Sequence, residues 1–528
     1  MKRRDFIKLS SAAGVAVIAG CTKKPSDTPS DTPSNGFDLH PFIKAHPEAV
    51  FINLTDIKKK TDREEIYEAS YKLAREMFVS TSGEGYPNST KITAKPNWTG
   101  FRSVDSNDPT YHLGINTDIG FIEGFLNGVK TKGPQDIYLR ECASPQKWEE
   151  LGYAQMCKKN NFDLKDLSSK DFWELGNEII FKKVDGVVFK EIGFMAPMNA
   201  PDTFLINLAK FKAHTMGITA SIKNLQGITG KRFHQFCGGH NDITKTYDER
   251  YFPYFQPDYL KRIAELHQKH IEAEIPRWDA STPELSENGS FYMEHWINRM
   301  LDSFSVTPTG INIVEGIYGR DGDGFLNGPH EGRAKDYMSN HIIFGKDPFR
   351  VDIITHWLAG HEPGNFGLFH IGIERGFSNV LDPFDIPVYL WENGEAKKVN
   401  LDTFHRTPLA TLYLRKGNEE RYHIVNEPFN YSAWKTTGKI AVNQKPYIRP
   451  IGTDSKNRIV MDMNVPQKGD VYVEILNSHG DLVHRMYSDH LEPGIHQVVW
   501  DGFASPGLYT TYVKGMGWDV ENEMIIYT

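Results

Sequence analysis

Cysteine is scarce: Cys21, Cys142, Cys157 and Cys237 are the only four in 528 residues, and no two are spaced as CxxC. That excludes an extensive disulfide framework, and no iron–sulfur cluster held by this chain alone is expected. Net positive charge is also missing. Sixty Lys and Arg face 68 Asp and Glu, a formal charge of -8, so nothing draws the whole chain to nucleic acid. No apolar run is long enough to span a bilayer as a helix; the longest, "AAGVAVIAG", is half the required length. There is no Walker loop, no dinucleotide fingerprint and no GxSxG in a strand–turn–helix setting. "GRDGDG" does not satisfy the dinucleotide pattern. Nucleotide-dependent chemistry and serine hydrolysis therefore have no support.

The apolar run has the length of a signal h-region. Before it stands "KRRDFIK", with Arg3 and Arg4, which resembles a twin-arginine export signal; after it, "VIAGC" resembles a lipobox ending at Cys21. Residues 1–21 thus read as an address, with Cys21 as the lipidated residue and a bacterial cell envelope, facing the periplasm or the surface, as the destination. The resemblance implies export in a folded state. "TKKPSDTPSDTPSNG", 22–36, is too polar to build a core and reads as a tether.

Strand and helix signals alternate from there. "VFINLTD" reads as a strand. "TDREEIYEASYKLAREMF" is a helix with an Ile66, Ala69, Leu73, Met77 stripe. "KITAKPN", "QDIYLREC", "VVFKEI", "TFLINLA", "TGINIVEG" and "HIIFG" are strands; "DIGFIEGFLNGV" and "WEELGYAQMCKKN" are helical. "KDPFRVDIITHWLAG" begins a helix with Asp347 as N-cap and Pro348 after it. The expected fold is an α/β domain over 37–395 with a largely parallel sheet, a connector over 396–446, and a small all-β sandwich over 447–528.

"FLINLAKFKAHTMGITASIKNLQGITG", 204–230, carries the main functional signal. Phe204, Ile206 and Leu208 share one face of a strand, and Lys210, Lys212 and His214 continue it, because strand side chains alternate with period two. Ligands of α/β sheets lie beyond the strand C-termini. Lys223 and Asn224 follow near a helix start, which attracts anions, and Lys95 and Asn97 close another strand. The reading is a pocket for an anionic small molecule, bound by Lys95, Asn97, Lys210, Lys223 and Asn224, with Lys212 and His214 as catalytic candidates. The alternative for the same residues is a set of surface lysines paired with acids.

Acids supply a second set. Glu315 follows "INIV", and "GRDGDGFLNGPHEG" holds Asp321, Asp323 and His330; Glu315, Asp321 and Asp323 are the candidates for a metal ion, although Asp and Gly at this density also make turns. Asp352 lies a turn and a half beyond Asp347. "HQFCGGHND" offers His234, Cys237, His240 and Asp242, with a covering loop as the simpler reading; His361 and Glu362 are an adjacent His–Glu pair.

The text from about 49 to 385 resembles the family called Domain of Unknown Function 362, through "AKPN" at 94–97, "LINLAKFKAHTMGITASIKNLQGI" at 205–228, "INIVEGIYG" at 311–319 and "IIFGKDPFRVD" at 342–352. The resemblance supplies no reaction. Some members carry ferredoxin-like cysteine clusters; this chain does not, so a redox role would need a partner that supplies the cluster. "NSHGDLVHRM", "GIHQVVWDG" and "SPGLYTTYV" resemble the Ig-like module of flagellar hook-capping proteins, which implies a spacing module or one that binds a protein partner.

Overall fold

The computed structural model describes residues 35–99, 110–141, 145–167, 172–214, 217–230, 249–273, 290–322, 333–412, 429–437, 446–453, 458–466, 468–491, 494–500, 507–515 and 517–526, and, singly or in pairs, 170, 233, 275, 328, 330 and 422–423. Cys21, Cys142, His234, Cys237, His240, Asp242 and Asp323 lie outside the described residues.

The central sheet has ten strands: β1 (Val50–Leu54), β2 (Lys91–Pro96), β3 (Ile137–Leu139), β4 (Asp163–Leu164), β5 (Thr203–His214), β6 (Gly217–Thr219), β7 (Ile311–Arg320), β8 (Asp336–Gly345), β9 (Val388–Glu392) and β10 (Glu395–Lys398). Their order is β10-β9-β1-β8-β7-β5-β2-β3-β4, with β6 folded back on the end of β5. Seven strands run one way; β6, β8 and β10 oppose them. The mostly parallel α/β sheet expected from the alternation is present.

Both faces are covered, as parallel sheets require. One face packs on α1 (Arg63–Met77) and α2 (Ile119–Lys130), with Phe204, Ile206 and Leu208 in its core. Gly120, Gly124 and Gly128 form a stripe on α2: an added Cβ would meet the carbonyls of Arg63, Tyr67 and Tyr71, respectively, so the stripe lets α1 lie close. Asp118 caps α2 through Gly120 N and Phe121 N.

The helical text around residue 150 is interrupted at Gly152, whose φ of 84° is left-handed; α3 (Tyr153–Asn160) begins after it. The opposite face of the sheet is covered by α4 (Ser221–Asn224), α5 (Tyr259–Glu272), α6 (Ser290–Ser305), α7 (Pro348–Leu358) and α8 (Gly367–Glu374). Asp347 caps α7 as expected, accepting from Phe349 N and Arg350 N.

One strand departs from expectation. "VVFKEI" is extended only from Glu191, in Glu191–Met195. The amides of Val187, Val188 and Phe189 instead donate to the Asp302 carboxylate of α6, which removes them from strand pairing.

The C-terminal chain forms two antiparallel sheets. β11 (Tyr447–Thr453), β12 (Ile459–Val465), β13 (Gly469–Asn477), β14 (Leu482–Leu491), β15 (Gly494–Trp500), β16 (Gly507–Gly515) and β17 (Trp518–Ile526) pair as β11-β12-β15 and β14-β13-β16-β17. Met461, Met463 and Trp500 from one sheet and Val471, Val473, Ile475 and Val513 from the other share a core.

Candidate functional site

The predicted residues do gather at the C-terminal ends of β2, β5 and β7, but they form two half-sites on opposite faces of the sheet. Register decides this. Lys95 of β2, Asn207 of β5 and Asn312 of β7 are paired neighbours and form one row across three strands. Lys210 pairs with Glu315 and lies three residues beyond Asn207, an odd step, so its side chain leaves from the other face.

On the first face, Asn224 of α4 sits over the row. Its amide donates to Lys95 O at 2.8 Å and Asn207 Oδ1 at 2.8 Å; its oxygen accepts from Lys95 Nζ at 3.1 Å and Asn97 Nδ2 at 3.2 Å. Lys95 Nζ also donates to Pro96 O and forms an ion pair with Glu141 at 2.5 Å; the lysine is 1% exposed. Gly227 leaves the room: a Cβ there would fall 2.3 Å from Glu141 Oε1 and 2.8 Å from Lys95 Nζ.

The expected anion-attracting helix start is already taken. Asp352 of α7 accepts from Ser221 N at 2.7 Å and Ile222 N at 3.0 Å, the first amides of α4. Burial pushes this carboxyl up to about 7 against those two hydrogen bonds.

On the second face, Lys210 Nζ lies 2.5 Å from Glu315 Oε2 and 3.3 Å from the centre of the Tyr318 ring. Glu315 Oε2 also accepts from Asp118 N, and Tyr318 OH donates to Asp118 Oδ2 at 2.7 Å. Both members of the pair are fully buried. Burial disfavours both charges, lowering the Lys210 amine and raising Glu315 to about 7. Lys212 Nζ donates to Ile115 O at 2.8 Å.

The halves meet over the strand ends. Thr117 Oγ1 donates to Leu208 O and accepts from Asn97 N, and the next residue is Asp118. At the far end of β5, His214 packs edge-on against Trp296 of α6, ring centres 5.2 Å apart, and Lys223 Nζ lies 5.4 Å from the centre of the same ring. Trp296 Nε1 donates to Gln226 Oε1. Burial, then the charges of Lys223 and Lys212, hold His214 well below its ordinary pKa. It is a neutral imidazole at pH 7, able to accept a proton only weakly.

Of the acids expected to hold a metal, the two among the described residues, Glu315 and Asp321, bond different partners. Glu315 belongs to the Lys210 pair. Asp321, buried at the end of β7, bonds His330 Nε2 at 2.6 Å, Tyr337 OH and Lys335 N. Among the described residues no three His, Cys, Asp or Glu side chains gather as a metal site. His361 bonds Leu409 O, and Glu362 bonds Arg406 and Tyr431, so that adjacent pair ties down the chain after α7.

Sequence reasoning missed Glu141, Asp118, Asn207, Tyr318 and Trp296. Two carried a usable signal: Asn207 is a polar residue inside an apolar strand, and Glu141 stands just after β3 as Lys95 stands near the end of β2. Nothing local marks Trp296.

Fold and site together define an α/β protein with a buried lysine–carboxylate centre at the C-terminal ends of parallel strands. The family described as Domain of unknown function (DUF362) matches residues 92–356, half of the chain and all of both half-sites, and the chain belongs to that family. No curated protein matches it.

Proposed function

We propose that this protein binds an anionic small molecule at the ends of β2, β5 and β7. The observation that supports this is the delivery of Lys95, Lys210, Lys212, Lys223 and His214 to one end of adjacent parallel strands. Buried lysines are costly, and their concentration at a strand-end rim favours a ligand role over a packing role. Lys95 and Lys210 are neutralised by Glu141 and Glu315 and act as a fixed base. Lys212 and Lys223, with His214 within their field, form the arm that meets the ligand. Lys223 is the partly exposed member and would be met first from solvent. Asn97 and Asn224 complete the polar lining.

Lys212→Ala tests the reading. Titrated calorimetrically with inorganic phosphate and with succinate, the variant should bind about tenfold more weakly, the loss of one charge-assisted hydrogen bond, while remaining folded by circular dichroism. Equal affinity would remove the idea. A non-catalytic binding protein is the second reading, favoured by the burial and low basicity of His214; ligand turnover abolished by His214→Ala would decide for an enzyme.

The twin-arginine and lipobox text supports an envelope location with a lipid anchor at Cys21. Cys21→Ala should move the exported protein from the membrane to the soluble fraction, read by cell fractionation and intact mass; a variant still held in the membrane would refute the anchor. The C-terminal sandwich carries none of the site residues, and in this reading it is an Ig-like spacer or partner-binding module.

A further inference from the structure

Three helices on the face opposite α1 and α2 meet at one histidine. His270 of α5 is 1% exposed. Its Nδ1 lies 2.7 Å from Glu294 Oε2 of α6, and its Nε2 lies 2.6 Å from Glu374 Oε2 at the end of α8. A neutral imidazole carries one N–H and one lone pair, and a lone pair cannot face a carboxylate oxygen at this distance. With both carboxyls ionised, both ring nitrogens donate, and the geometry is that of an imidazolium held between two carboxylates.

The surrounding charges are arranged for it. Glu294 Oε1 accepts from Asn298 Nδ2 at 2.6 Å, one turn on along α6. Glu374 Oε1 is paired with Lys269 of α5. His267, on the same helix, is held below its ordinary pKa chiefly by burial, against the pull of the Glu294 carboxylate, with the His270 charge adding to the lowering. On α8, burial pushes His370 down to about 4, so it stays uncharged. Arg375, just beyond α8, bonds Asp302 and the Asn298 carbonyl of α6. Two carboxylates thus face His270 directly, one ammonium offsets part of Glu374, and burial disfavours charge on His267 and His370.

Helix α6 connects this cluster to the candidate site. Glu294 holds His270, and Trp296, two residues on, packs against His214 and Lys223.

We propose that His270 is a proton-operated clamp: its imidazolium binds α5, α6 and α8 together, and loss of that proton in alkaline solution releases α6 and the Trp296 wall it carries.

Burial opposes the charge, but the hydrogen bonds to Glu294 and Glu374 outweigh it and hold His270 up at about 9, against 6.5 for a free imidazole. A basic group raised on folding stabilises fully below its unfolded pKa, and the stabilisation is lost as pH rises to the folded value. The window is therefore 6.5 to about 9.

Hydrogen exchange of the full chain, followed by mass spectrometry and corrected for the intrinsic base-catalysed rate, reads the clamp directly. In the wild type, opening of peptides from α5, α6 and α8 should rise about tenfold per pH unit across that window and then level, as one linked proton requires. His270→Arg, which keeps the charge and forked donors, should be flat. His270→Gln should already be open at the low end. Wild type and His270→Arg running in parallel would overturn the clamp. Should His270→Gln fail to fold, Glu374→Gln decides: the ramp should end at lower pH, and an unmoved ramp overturns the proposal. The link to the ligand rests on the anion-binding reading. Inorganic phosphate should protect α6 peptides at pH 7 in the wild type and lose that effect in His270→Gln. Phosphate that protects nothing in the wild type counts against the anion site, while the ramp still judges the clamp.

Discussion

Lys210→Ala will destabilise the protein by about 3–5 kcal/mol, the cost of leaving one member of a buried ion pair without its partner. Glu315 is fully buried, its Oε2 keeps only the weak 3.2 Å bond from Asp118 N, and its Oε1 has no hydrogen-bond partner. Water cannot reach the carboxylate, so the variant must either bury an uncompensated charge or protonate Glu315. The second route gives the effect a pH signature. Glu315 stands at about 7 in the fold even with Lys210 beside it, against 4.5 for a free glutamate, and removal of the ammonium raises it further. An acid whose folded pKa is raised binds its proton more tightly in the fold, so the deficit of the variant will shrink as pH falls from above 7 toward 4.5. Denaturant midpoints at several pH values check both claims. The double variant Lys210→Met, Glu315→Leu removes both charges and should recover most of the loss, because an apolar pair of similar volume needs no desolvation. A single variant as stable as the wild type would mean that solvent reaches this pair, and the buried centre would have to be redrawn.

Asp302→Ala will cost a comparable amount, about 3–5 kcal/mol, for a different reason: one buried carboxylate satisfies four donors. Oδ1 accepts from Val187 N at 2.9 Å and Arg375 at 2.6 Å, and Oδ2 from Val188 N at 2.7 Å and Phe189 N at 3.0 Å. Alanine leaves three backbone amides and a guanidinium facing a void. The fit around the carboxylate is close, since a Cβ on Gly186 would sit 2.4 Å from Asp302 Oδ2. Asp302→Asn should be milder, because its carbonyl can keep two of the donors while its amide faces the others. Thermal unfolding of the two variants should therefore rank Asn above Ala, and exchange should locate the damage at 187–189 and at the end of α8. Equal melting of Ala and wild type would show that the 187–189 amides find other acceptors.

Local pattern determined much of this protein. The alternation of strand and helix text gave the mostly parallel sheet, and the Asp347–Pro348 pair gave the start of α7. The period of two placed Lys210 on the face of Phe204, Ile206 and Leu208, but His214, expected on that face as well, packs against Trp296 of the opposite core, past an irregularity in register between Lys210 and Lys212. All of these depend on spacings along one segment. Tertiary structure alone decided that Lys95 and Asn224 gather on one face and Lys210 and Glu315 on the other, because that depends on which residue of β2 lies beside which residue of β5. Strand register is fixed by side-chain packing across the whole sheet, and a shift of one residue would have exchanged the faces. The same holds for the partners of the buried charges. Asp302 and Glu374 have no local mark in the sequence, since a carboxylate acquires its role from a donor 115 or 104 positions away, and only the fold closes those distances.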